Sequence, residues 1–593
     1  MVVIGIHIEH DASIAIIKDG RVIFNLALEK YTRIKKDYNF NSEFVSFALK
    51  QAGLTIKDVN FVAINSFHGG HGVKAFTKNN NRVASSLVER DYSRTLNFDN
   101  EIIGNSYHIM YPHLIDYRIE PEQLSKVDVN VELCNQQIPG YFVNHHLAHA
   151  ANVFFLSPFK KAAIFSLDAS SSSGILPEQS SLFAYGVNNT VEKLYSPGCM
   201  VGTMYDRRCK DLGIGSGFFK AGSLMGLAAY GKVLPIVIEF EKEFTASFWE
   251  RKRAQRSDAE HLDWQWLILS GQKQSFDKNC ASTVRAMNIA ASTQYIYEKT
   301  VEKFTTQLYE DTKHLDLDGI CFTGGSFLNC AFNGKLRAKK QFKDYFWFPS
   351  CGDDGAALGA ALYVYHNVLQ NPRIYRARKD IMYLGPDWKE NEKEYTYNFS
   401  ASVEIKDLDY KLVANYIDQG KIIAWFNGRS EVGPRALGNR SFLASPKFSW
   451  MRDYINKKVK NREWYRPFAP VVLNDFKKDW FEIEHESPFM LEAVQVRDDK
   501  KHLIPAVIHV DNTARVQTLK EEDNPKLFKL LHAHQELTGI PVLLNTSLNL
   551  GGEPLIETPE DAFNLFERSN VDILVLGKKI YIKTEKKLDK QEK

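Results

Sequence analysis

At 593 residues the chain is too long for a single hydrophobic core, so two or three domains are expected. Its 44% hydrophobic and 25% charged residues are typical of a globular protein, and a net charge of only +3 disfavours a general nucleic-acid-binding protein. The seven cysteines form no CxxC pair, which disfavours zinc ribbons and indicates reduced thiols. Because no apolar run has the length of a bilayer span, the sequence predicts a cytoplasmic protein.

Taken in chain order, the sequence of the first half predicts two strand-rich units. In both units, polar turns lie between a buried strand and the element that follows it. The turns at residues 10–13, 168–171 and 323–326 can each present amides and hydroxyls to phosphate, although an ordinary turn is the alternative for each. Their placement in two successive units resembles the duplicated nucleotide-binding fold of actin and hexokinase. The remaining predictions are a helix at residues 40–52, an irregular insertion at 66–132, a mainly helical stretch at 203–314 and a helix beginning near Phe327.

The second half predicts a separate α/β unit. A segment containing prolines and charges, residues 371–400, is interpreted as a linker between domains. The predicted organisation is therefore a domain at residues 1–370, this linker, a second domain at residues 401–583 and a charged tail at residues 584–593.

Two histidines in a helix of small residues suggest a metal site. His145 and His149 stand four residues apart, which places both imidazoles on one helix face within reach of one ion. A pair of core histidines is the alternative. Asp353, at a predicted strand-to-helix turn, is the candidate carboxylate ligand, whereas His146 points elsewhere on the helix and is not expected to be a ligand.

Arginines beside glycine, proline or other small residues mark the second half. Arg435, Arg440, Arg466 and Arg515 share this setting, and a strand ends in the polar turn 545–549. Guanidinium groups suit phosphate, and glycines let backbone amides approach it. A solvated charged face is the alternative, but such faces usually mix Lys and Glu on long helices. The pattern predicts an anion-binding site.

Taken together, these motifs resemble the O-carbamoyltransferases of the NodU/CmcH type, among them enzymes that carbamoylate nodulation factors, cephems and tobramycin. The resemblance covers nearly the whole chain, with the motifs in the same order. The motifs are residues 10–13 (HDAS), 145–150 (HHLAHA), 225–231 (MGLAAYG), 324–329 (GGSFLN), 433–441 (GPRALGNRS), 466–470 (RPFAP), 509–517 (HVDNTARVQ) and 545–549 (NTSLN).

The resemblance implies an N-terminal actin-like (ASKHA) duplicated α/β domain and a C-terminal YrdC-like α/β domain. In the family, the C-terminal domain forms carbamoyl-adenylate and pyrophosphate from carbamoyl phosphate and ATP. The N-terminal domain then transfers the carbamoyl group to an acceptor hydroxyl beside a metal. The implied roles are catalytic for His10, Asp11, Arg435 and Arg466, metal-binding for His145, His149 and Asp353, and nucleotide- or phosphate-binding for Lys460, Arg440, Arg515, Asn545, Ser547, Gly324, Gly325, Ser326 and Asn329.

The implied cofactors are ATP with magnesium and one divalent ion, which is iron, manganese or zinc. The implied partners are carbamoyl phosphate, ATP and a small natural product or sugar with a hydroxyl group. No nucleic-acid or membrane partner is expected, and a homodimer is a candidate assembly. The insertion is the candidate acceptor surface, with a structural capping loop as an equal alternative; its candidate contacts are His68, His71, Tyr107, His108 and Tyr111.

Two departures from the family pattern lie in the domain that transfers the carbamoyl group and bear on the acceptor class. Relatives often carry an acidic residue and a lysine just before the motif at residues 225–231, where this chain has Ala221 and Ser223 with Lys220 nearby. The turn after Asp168 is also richer in serine. Two other functions stay open. A threonylcarbamoyl-type tRNA-modifying fusion enzyme is disfavoured by the near-neutral charge, and a non-catalytic metabolite-binding protein is disfavoured by the intact arginine and metal motifs.

Overall fold

The structure is a computed structural model that describes most of the chain. Its described residues build three large mixed sheets with helices packed against them, which confirms the predicted α/β class. The candidate acceptor residues and the tail beyond Thr584 lie outside this described part. The described residues are 1–8, 10–67, 73–77, 82–83, 126–168, 181–199, 201–215, 217–235, 237–238, 283–389 and 395–584.

The first two sheets contain thirteen strands. The first is built from β1 (Val2–Ile8), β2 (Ser13–Lys18), β3 (Arg21–Ala27), β4 (Phe61–Phe67), β5 (Val73–Thr77), β6 (Arg82–Val83), β7 (Lys126–Leu133) and β8 (Gln136–Val143). The second is built from β9 (Lys161–Leu167), β10 (Ser181–Val187), β11 (Thr190–Tyr195), β12 (Gly319–Thr323) and β13 (Tyr345–Trp347). The strands β5, β6 and β7 fall within or at the end of the predicted insertion and extend the first sheet.

These two sheets repeat one strand order and one set of strand directions. The first contains β3-β2-β1-β4-β8 and the second is β11-β10-β9-β12-β13. In each, the first three strands are antiparallel neighbours and the last three are parallel neighbours. This repeat is the arrangement that a duplicated domain predicts, and it brings the ends of β1, β9 and β12 towards one region.

The third sheet belongs to the C-terminal half. Its strand order is β14-β23-β22-β15-β16-β21-β17-β20, and β18 and β19 form a separate pair. The likeness of this sheet to YrdC stays a prediction. The strands are β14 (Val403–Asp407), β15 (Ile423–Phe426), β16 (Arg440–Ala444), β17 (Ala469–Leu473), β18 (Ala493–Gln495), β19 (Thr513–Arg515), β20 (Gln517–Leu519), β21 (Val542–Ser547), β22 (Ile573–Leu576) and β23 (Lys579–Lys583).

The described helices cover these sheets and supply several residues of the candidate site. The helix predicted near Phe327 begins later, at Cys330, because a 3₁₀ turn at Gly325–Leu328 precedes it. The helices are α1 (Leu28–Thr32), α2 (Ser42–Gln51), α3 (His145–Leu156), α4 (Val201–Asp211), α5 (Gly217–Ala228), α6 (Val284–Thr312), α7 (Cys330–Ala338), α8 (Ala356–Leu362), α9 (Lys379–Met382), α10 (Tyr410–Asp418), α11 (Met451–Tyr454), α12 (Lys477–Trp480), α13 (Pro525–Thr538) and α14 (Pro559–Arg568).

Glycines allow β1, α3 and α8 to approach one another closely. A Cβ atom at Gly359 in α8 would lie 1.8 Å from the carbonyl oxygen of Ala148 in α3. A Cβ atom at Gly5 in β1 would lie 1.8 Å from the carbonyl oxygen of Ala357 in α8. Only glycine fits such backbone contacts. This packing fixes the histidine-bearing helix α3 against the start of α8.

We expect Gly359→Ala to lower the free energy of unfolding by about 1–3 kcal/mol, because the added methyl group must separate α3 from α8. Gly222→Ala is the matched control: it is also helical, but a Cβ there meets nothing within 4 Å. That control should be neutral or more stable by up to about 1 kcal/mol. Thermal melting of both variants checks this, and equal melting temperatures would contradict the close packing.

Arg373, within the predicted linker, holds the end of helix α3. Its Nη2 donates hydrogen bonds to the carbonyl oxygens of Phe154 and Ser157, both at 2.6 Å, and its Nη1 donates to Phe159 at 2.6 Å. A cation at a helix C-terminus satisfies carbonyls that lack a partner within the helix. The segment therefore contributes to the position of α3 as well as connecting the two halves.

The two halves of the chain are docked through polar contacts around the candidate site. Arg429 Nη2 donates to the carbonyl oxygen of Ile23 at 2.7 Å, and Asn333 Nδ2 donates to that of Leu491 at 2.8 Å. Lys30 Nζ donates to the carbonyl oxygen of Glu431 at 2.6 Å. Lys30 and Glu431 also line a cavity to which both halves contribute residues.

Candidate functional site

Helix α3 directs two imidazoles towards one point. The side chain of Asn144 caps the helix by accepting a hydrogen bond from the backbone N–H of Leu147. His145 and His149 follow one turn apart, as the sequence predicts, and their Nε2 atoms are 3.1 Å apart. His146 lies elsewhere, with Nδ1 3.0 Å from Ser166 Oγ.

Two carboxylates from different elements meet these imidazoles. Asp353, in a 3₁₀ turn before α8, places Oδ1 3.2 Å from His149 Nε2 and 3.5 Å from His145 Nε2. Asp168, directly after β9, places Oδ2 3.2 Å from His149 Nε2 and 3.6 Å from His145 Nε2. One ligand atom from each of the four residues lies within 4.8 Å of the others.

The four donors fit a divalent metal ion. Ligand atoms about 2.1 Å from one tetrahedral centre lie roughly 3.4 Å apart, which is close to the five distances above. Two imidazoles and two carboxylates suit iron, manganese or zinc. Burial lowers the pKa of His149, but hydrogen bonds to Asp168 and Asp353 raise it to about 10. The two carboxylates therefore favour a positive charge at this point, as a bound cation would supply.

His10 and Asp11 lie beside this cluster. His10 Nε2 is 3.2 Å from Asp353 Oδ2 and 3.9 Å from Asp11 Oδ2, and its side chain is 37% exposed. Asp11 forms an ion pair with Lys36, and its backbone has a positive φ of 148°. Positive φ is uncommon outside glycine, and strained backbone of this kind recurs at functional sites as well as in ordinary turns. The turn thus places a ring nitrogen of His10 next to the His/Asp cluster, which consists of His145, His149, Asp168 and Asp353.

Four arginines of the C-terminal half form a second cluster. The predicted residues Arg435, Arg466 and Arg515 are joined by Arg462, and all four line one cavity. Burial, followed by the charges of Arg515 and Arg466, lowers the pKa of Arg435 to about 9. Burial and the charges of Arg466 and Arg515 lower the pKa of Arg462 well below its ordinary value. Such mutual repulsion is relieved when an anion binds.

Lys460 adds a buried ammonium group to this cluster. It donates hydrogen bonds to Ser547 Oγ at 3.0 Å and to Asn549 Oδ1 at 2.9 Å. Burial, together with the charges of Arg462 and Arg466, lowers the pKa of Lys460 well below its ordinary value. Asn545, at the end of β21, donates to Gln517 Oε1 at 2.8 Å and also lines the cavity. The lysine and the polar turn therefore lie together, as predicted.

Arg440 does not reach the cavity, in contrast to the predicted role in nucleotide binding. Its side chain is fully buried, and Nη1 donates to the carbonyl oxygens of Asn427 and Gly428, both at 2.9 Å. The guanidinium also lies 3.6 Å from the ring centroid of Phe426. Because the fold itself uses this guanidinium, Arg440 is left out of the proposed anion site.

The residues of the turn after β12 have two different roles: most line the cavity, and one permits close packing of the strands. Gly325, Ser326 and Asn329 line the cavity, as expected for residues that contact a ligand. Gly324 is not among the lining residues; its φ is +92°, and a Cβ there would lie 2.1 Å from the carbonyl oxygen of Leu167. Gly324 therefore permits the close approach of β12 to β9 rather than contact with a ligand.

One continuous cavity of about 660 Å³ joins the two clusters. Asp168, Asp353 and His10 of the N-terminal half line it, whereas His145 and His149 are not among its lining residues. The four arginines and Lys460 of the C-terminal half also line it. Residues of both clusters therefore line the same cavity.

Sequence reasoning missed several residues of this cavity. Asp168 was identified only as part of a phosphate-type turn, although its place directly after a buried strand was the available signal. Arg462 has no glycine or proline neighbour and gave no signal. Asp354 also lines the cavity, where burial and the nearby Asp11 charge raise its pKa to about 7.

The fold and the site define the class of the protein. A mixed α/β chain that has a His/Asp cluster and a cluster of cations in one cavity is suited to group transfer from an anionic donor. Two family models match it: "Carbamoyltransferase N-terminus" over residues 2–362 and "Carbamoyltransferase C-terminus" over residues 414–583. The chain belongs to the carbamoyltransferase family, and the protein is a carbamoyl-transferring enzyme.

Relatives match along most of the chain. Nodulation protein NolO of Bradyrhizobium diazoefficiens is 35% identical over 73% of this chain and 78% of its own. Nodulation protein NolNO of Sinorhizobium fredii is 31% identical over 96% of this chain and 78% of its own. An uncharacterised protein of a Synechocystis strain is 32% identical over 97% of this chain and 95% of its own.

Solved structures show only weak likeness. An activator of 2-hydroxyisocaproyl-CoA dehydratase from Clostridium difficile is 12% identical, covers 62% of this chain and 96% of its own, and has a TM-score of 0.30. Full-length HypF is 11% identical, covers 62% of this chain and 56% of its own, and has a TM-score of 0.29. Such scores do not establish a shared fold, so the actin-like assignment stays a prediction with which the repeated strand order agrees. Among the described helices, none has the length and apolar character needed to cross a bilayer.

Proposed function

We propose that the protein is an ATP-dependent O-carbamoyltransferase that acts through carbamoyl-adenylate on a hydroxyl group of a small molecule. The observation that supports this most is the single cavity between the arginine cluster and the His/Asp cluster. Residues 401–583 would form the intermediate and residues 1–370 would transfer it. Carbamoyl-adenylate is labile in water, and a shared cavity shields it between the two steps.

The first step fits the cation cluster. Water displaces carbamate from the phosphorus of carbamoyl phosphate, which releases inorganic phosphate. A carbamate oxygen then attacks the α-phosphorus of ATP, and the bond to the β-phosphate breaks, which releases pyrophosphate. In both reactions negative charge accumulates on phosphate oxygens. Side chains held in fixed positions can stabilise this charge, namely Arg435, Arg466, Arg515 and Lys460. Magnesium bound to ATP belongs to the substrate.

The second step fits the His/Asp cluster. The acceptor oxygen attacks the carbamoyl carbon, the bond from that carbon to the AMP phosphate oxygen breaks, and AMP leaves. His10 Nε2, beside Asp353, is placed to take the hydroxyl proton. His145, His149, Asp168 and Asp353 would hold the metal ion, which supplies Lewis-acid stabilisation of the leaving phosphate when bound.

The test is product analysis with the purified protein. With ATP and carbamoyl phosphate, we expect equal amounts of inorganic phosphate and pyrophosphate, and no pyrophosphate when either substrate is omitted. Mass spectrometry of small hydroxyl compounds from sugar and natural-product pathways should then find one that gains a single carbamoyl group and yields AMP. Carbamoyl transfer with release of inorganic phosphate alone would show direct transfer and overturn the adenylate route.

A further inference from the structure

Helix α5 reaches the arginine cluster from the opposite half of the chain. Lys220 and Ser223, three residues apart, lie on one face of this helix. Lys220 Nζ donates a hydrogen bond to Glu463 Oε1 at 2.8 Å. Arg466 Nη1 donates one to the buried Ser223 Oγ at 2.5 Å. Helix α5 therefore contacts both Glu463 and Arg466, which belong to one short segment of the C-terminal half.

Glu463 places a negative charge on the wall of the proposed anion site. It lines the cavity, it directly follows Arg462, and its Oε2 is 3.9 Å from Arg466 Nη1. The carboxylate already forms a long ion pair with Arg466, and without a further cation it would pair more closely with a guanidinium group and would repel phosphate oxygens. Burial raises the pKa of Glu463, but the hydrogen bond from Lys220 and the nearby Arg466 charge hold it below its ordinary value. The carboxylate therefore stays ionised and needs a cation.

We propose that Lys220 is a positioning residue for the anion site: it holds and neutralises the Glu463 carboxylate, so that Arg462 and Arg466 remain available for substrate phosphates. The identity of those phosphates rests on the proposed function. Because Lys220 comes from the half that carries the His/Asp cluster, the position of α5 sets the phosphate affinity of the other half.

A double-variant cycle separates this role from a simple docking contact. If Lys220 only joins the halves, removing either partner weakens the protein and removing both does not restore it. If Lys220 neutralises Glu463, the loss caused by Lys220→Met disappears once Glu463→Gln removes the charge. The side chains are 39% and 25% exposed, so water screens part of the interaction and a moderate effect is expected.

The test is calorimetric titration of inorganic pyrophosphate into the full-length protein. We expect Lys220→Met to weaken binding by about tenfold, the effect of losing one partly screened charge pair. Glu463→Gln should bind as tightly as wild type or more tightly, and the double variant should return to within about twofold of wild type. Lys220→Arg, which keeps the charge, should match wild type. Equal melting temperatures verify that all variants are folded.

Two results would overturn the inference while leaving the proposed function in place. These are wild-type affinity in Lys220→Met, or a double variant that binds as weakly as Lys220→Met alone. Failure of the wild-type protein to bind pyrophosphate would instead overturn the proposed anion site, and with it the role of Lys220.

Discussion

Replacing His149 with alanine should abolish carbamoyl transfer while pyrophosphate release continues near the wild-type rate. His149 is fully buried, and its Nε2 lies 3.1–3.2 Å from a ligand atom of each of the other three donors. Without this imidazole the site loses a metal ligand, and Asp168 and Asp353 lose the group between them. We expect transfer to fall by about 10²–10³-fold, as when a preorganised electrostatic stabiliser is removed.

Three measurements on one preparation of protein check this prediction. They are the metal content, the rate of pyrophosphate release and the amount of carbamoylated acceptor, where the acceptor is the compound found by mass spectrometry. The wild-type protein should hold about one divalent ion per chain and the variant much less. His146→Gln is the matched control, because His146 lies in the same helix but contacts Ser166. A wild-type metal content in His149→Ala would show that the ligand assignment is incorrect.

The second large effect is expected at the arginine cluster. Arg515→Ala should lower pyrophosphate release by about 10²–10³-fold, and Arg435→Ala should do the same. The guanidinium of Arg515 lines the cavity, and its side chain makes no hydrogen bond or ion pair with another residue in the described part of the chain. Its charge is therefore free to act on a bound phosphate.

Arg452→Ala is the matched control for these arginine variants. Its guanidinium pairs with the neighbouring Asp453 and does not line the cavity, so pyrophosphate release should persist. Release at the wild-type rate in both Arg435→Ala and Arg515→Ala would place the adenylation site elsewhere. Release lost in Arg452→Ala as well would point to a general effect of charge rather than to this site.

Helical spacing predicted the histidine part of the site but not all of its ligands. The four-residue step from His145 to His149 fixes a shared face wherever the chain is helical, so the geometry followed from local sequence. Asp168 and Asp353 come from turns far apart in the chain. Their approach depends on the pairing of β9 with β12 and on the glycine contacts of α8, which no local pattern records.

The residues beside each arginine predicted which arginines have a particular role. They could not distinguish an arginine that lines the cavity from one that is buried in the core. Arg440 and Arg435 lie in the same glycine-rich motif, yet only Arg435 faces the cavity. Arg440 belongs to a buried strand whose neighbouring loops offer carbonyl oxygens to its guanidinium. Arg462 has no glycine or proline neighbour and reaches the cavity from the loop that follows the π-helical segment Ile455–Val459. Which of these arginine side chains lines the cavity therefore depends on strand pairing and loop geometry.

The repeated strand order was likewise hidden in the sequence, which shows no tandem repeat. Burial of β1 and β9 on both faces constrains only hydrophobic character, so many different residues satisfy the same topology. The likeness between the two sheets is therefore a property of strand direction and connection. The polar turns after β1, β9 and β12 were the part of this architecture that sequence alone could indicate.

The central claim is that two chemical steps occur at two separate clusters that line one cavity. The most direct test supplies synthetic carbamoyl-adenylate and acceptor, without ATP, to Arg515→Ala and His149→Ala and measures the carbamoylated product. Two separate steps predict that Arg515→Ala regains transfer while His149→Ala stays inactive. Failure of both variants to use the supplied intermediate, or rescue of His149→Ala, would contradict the account.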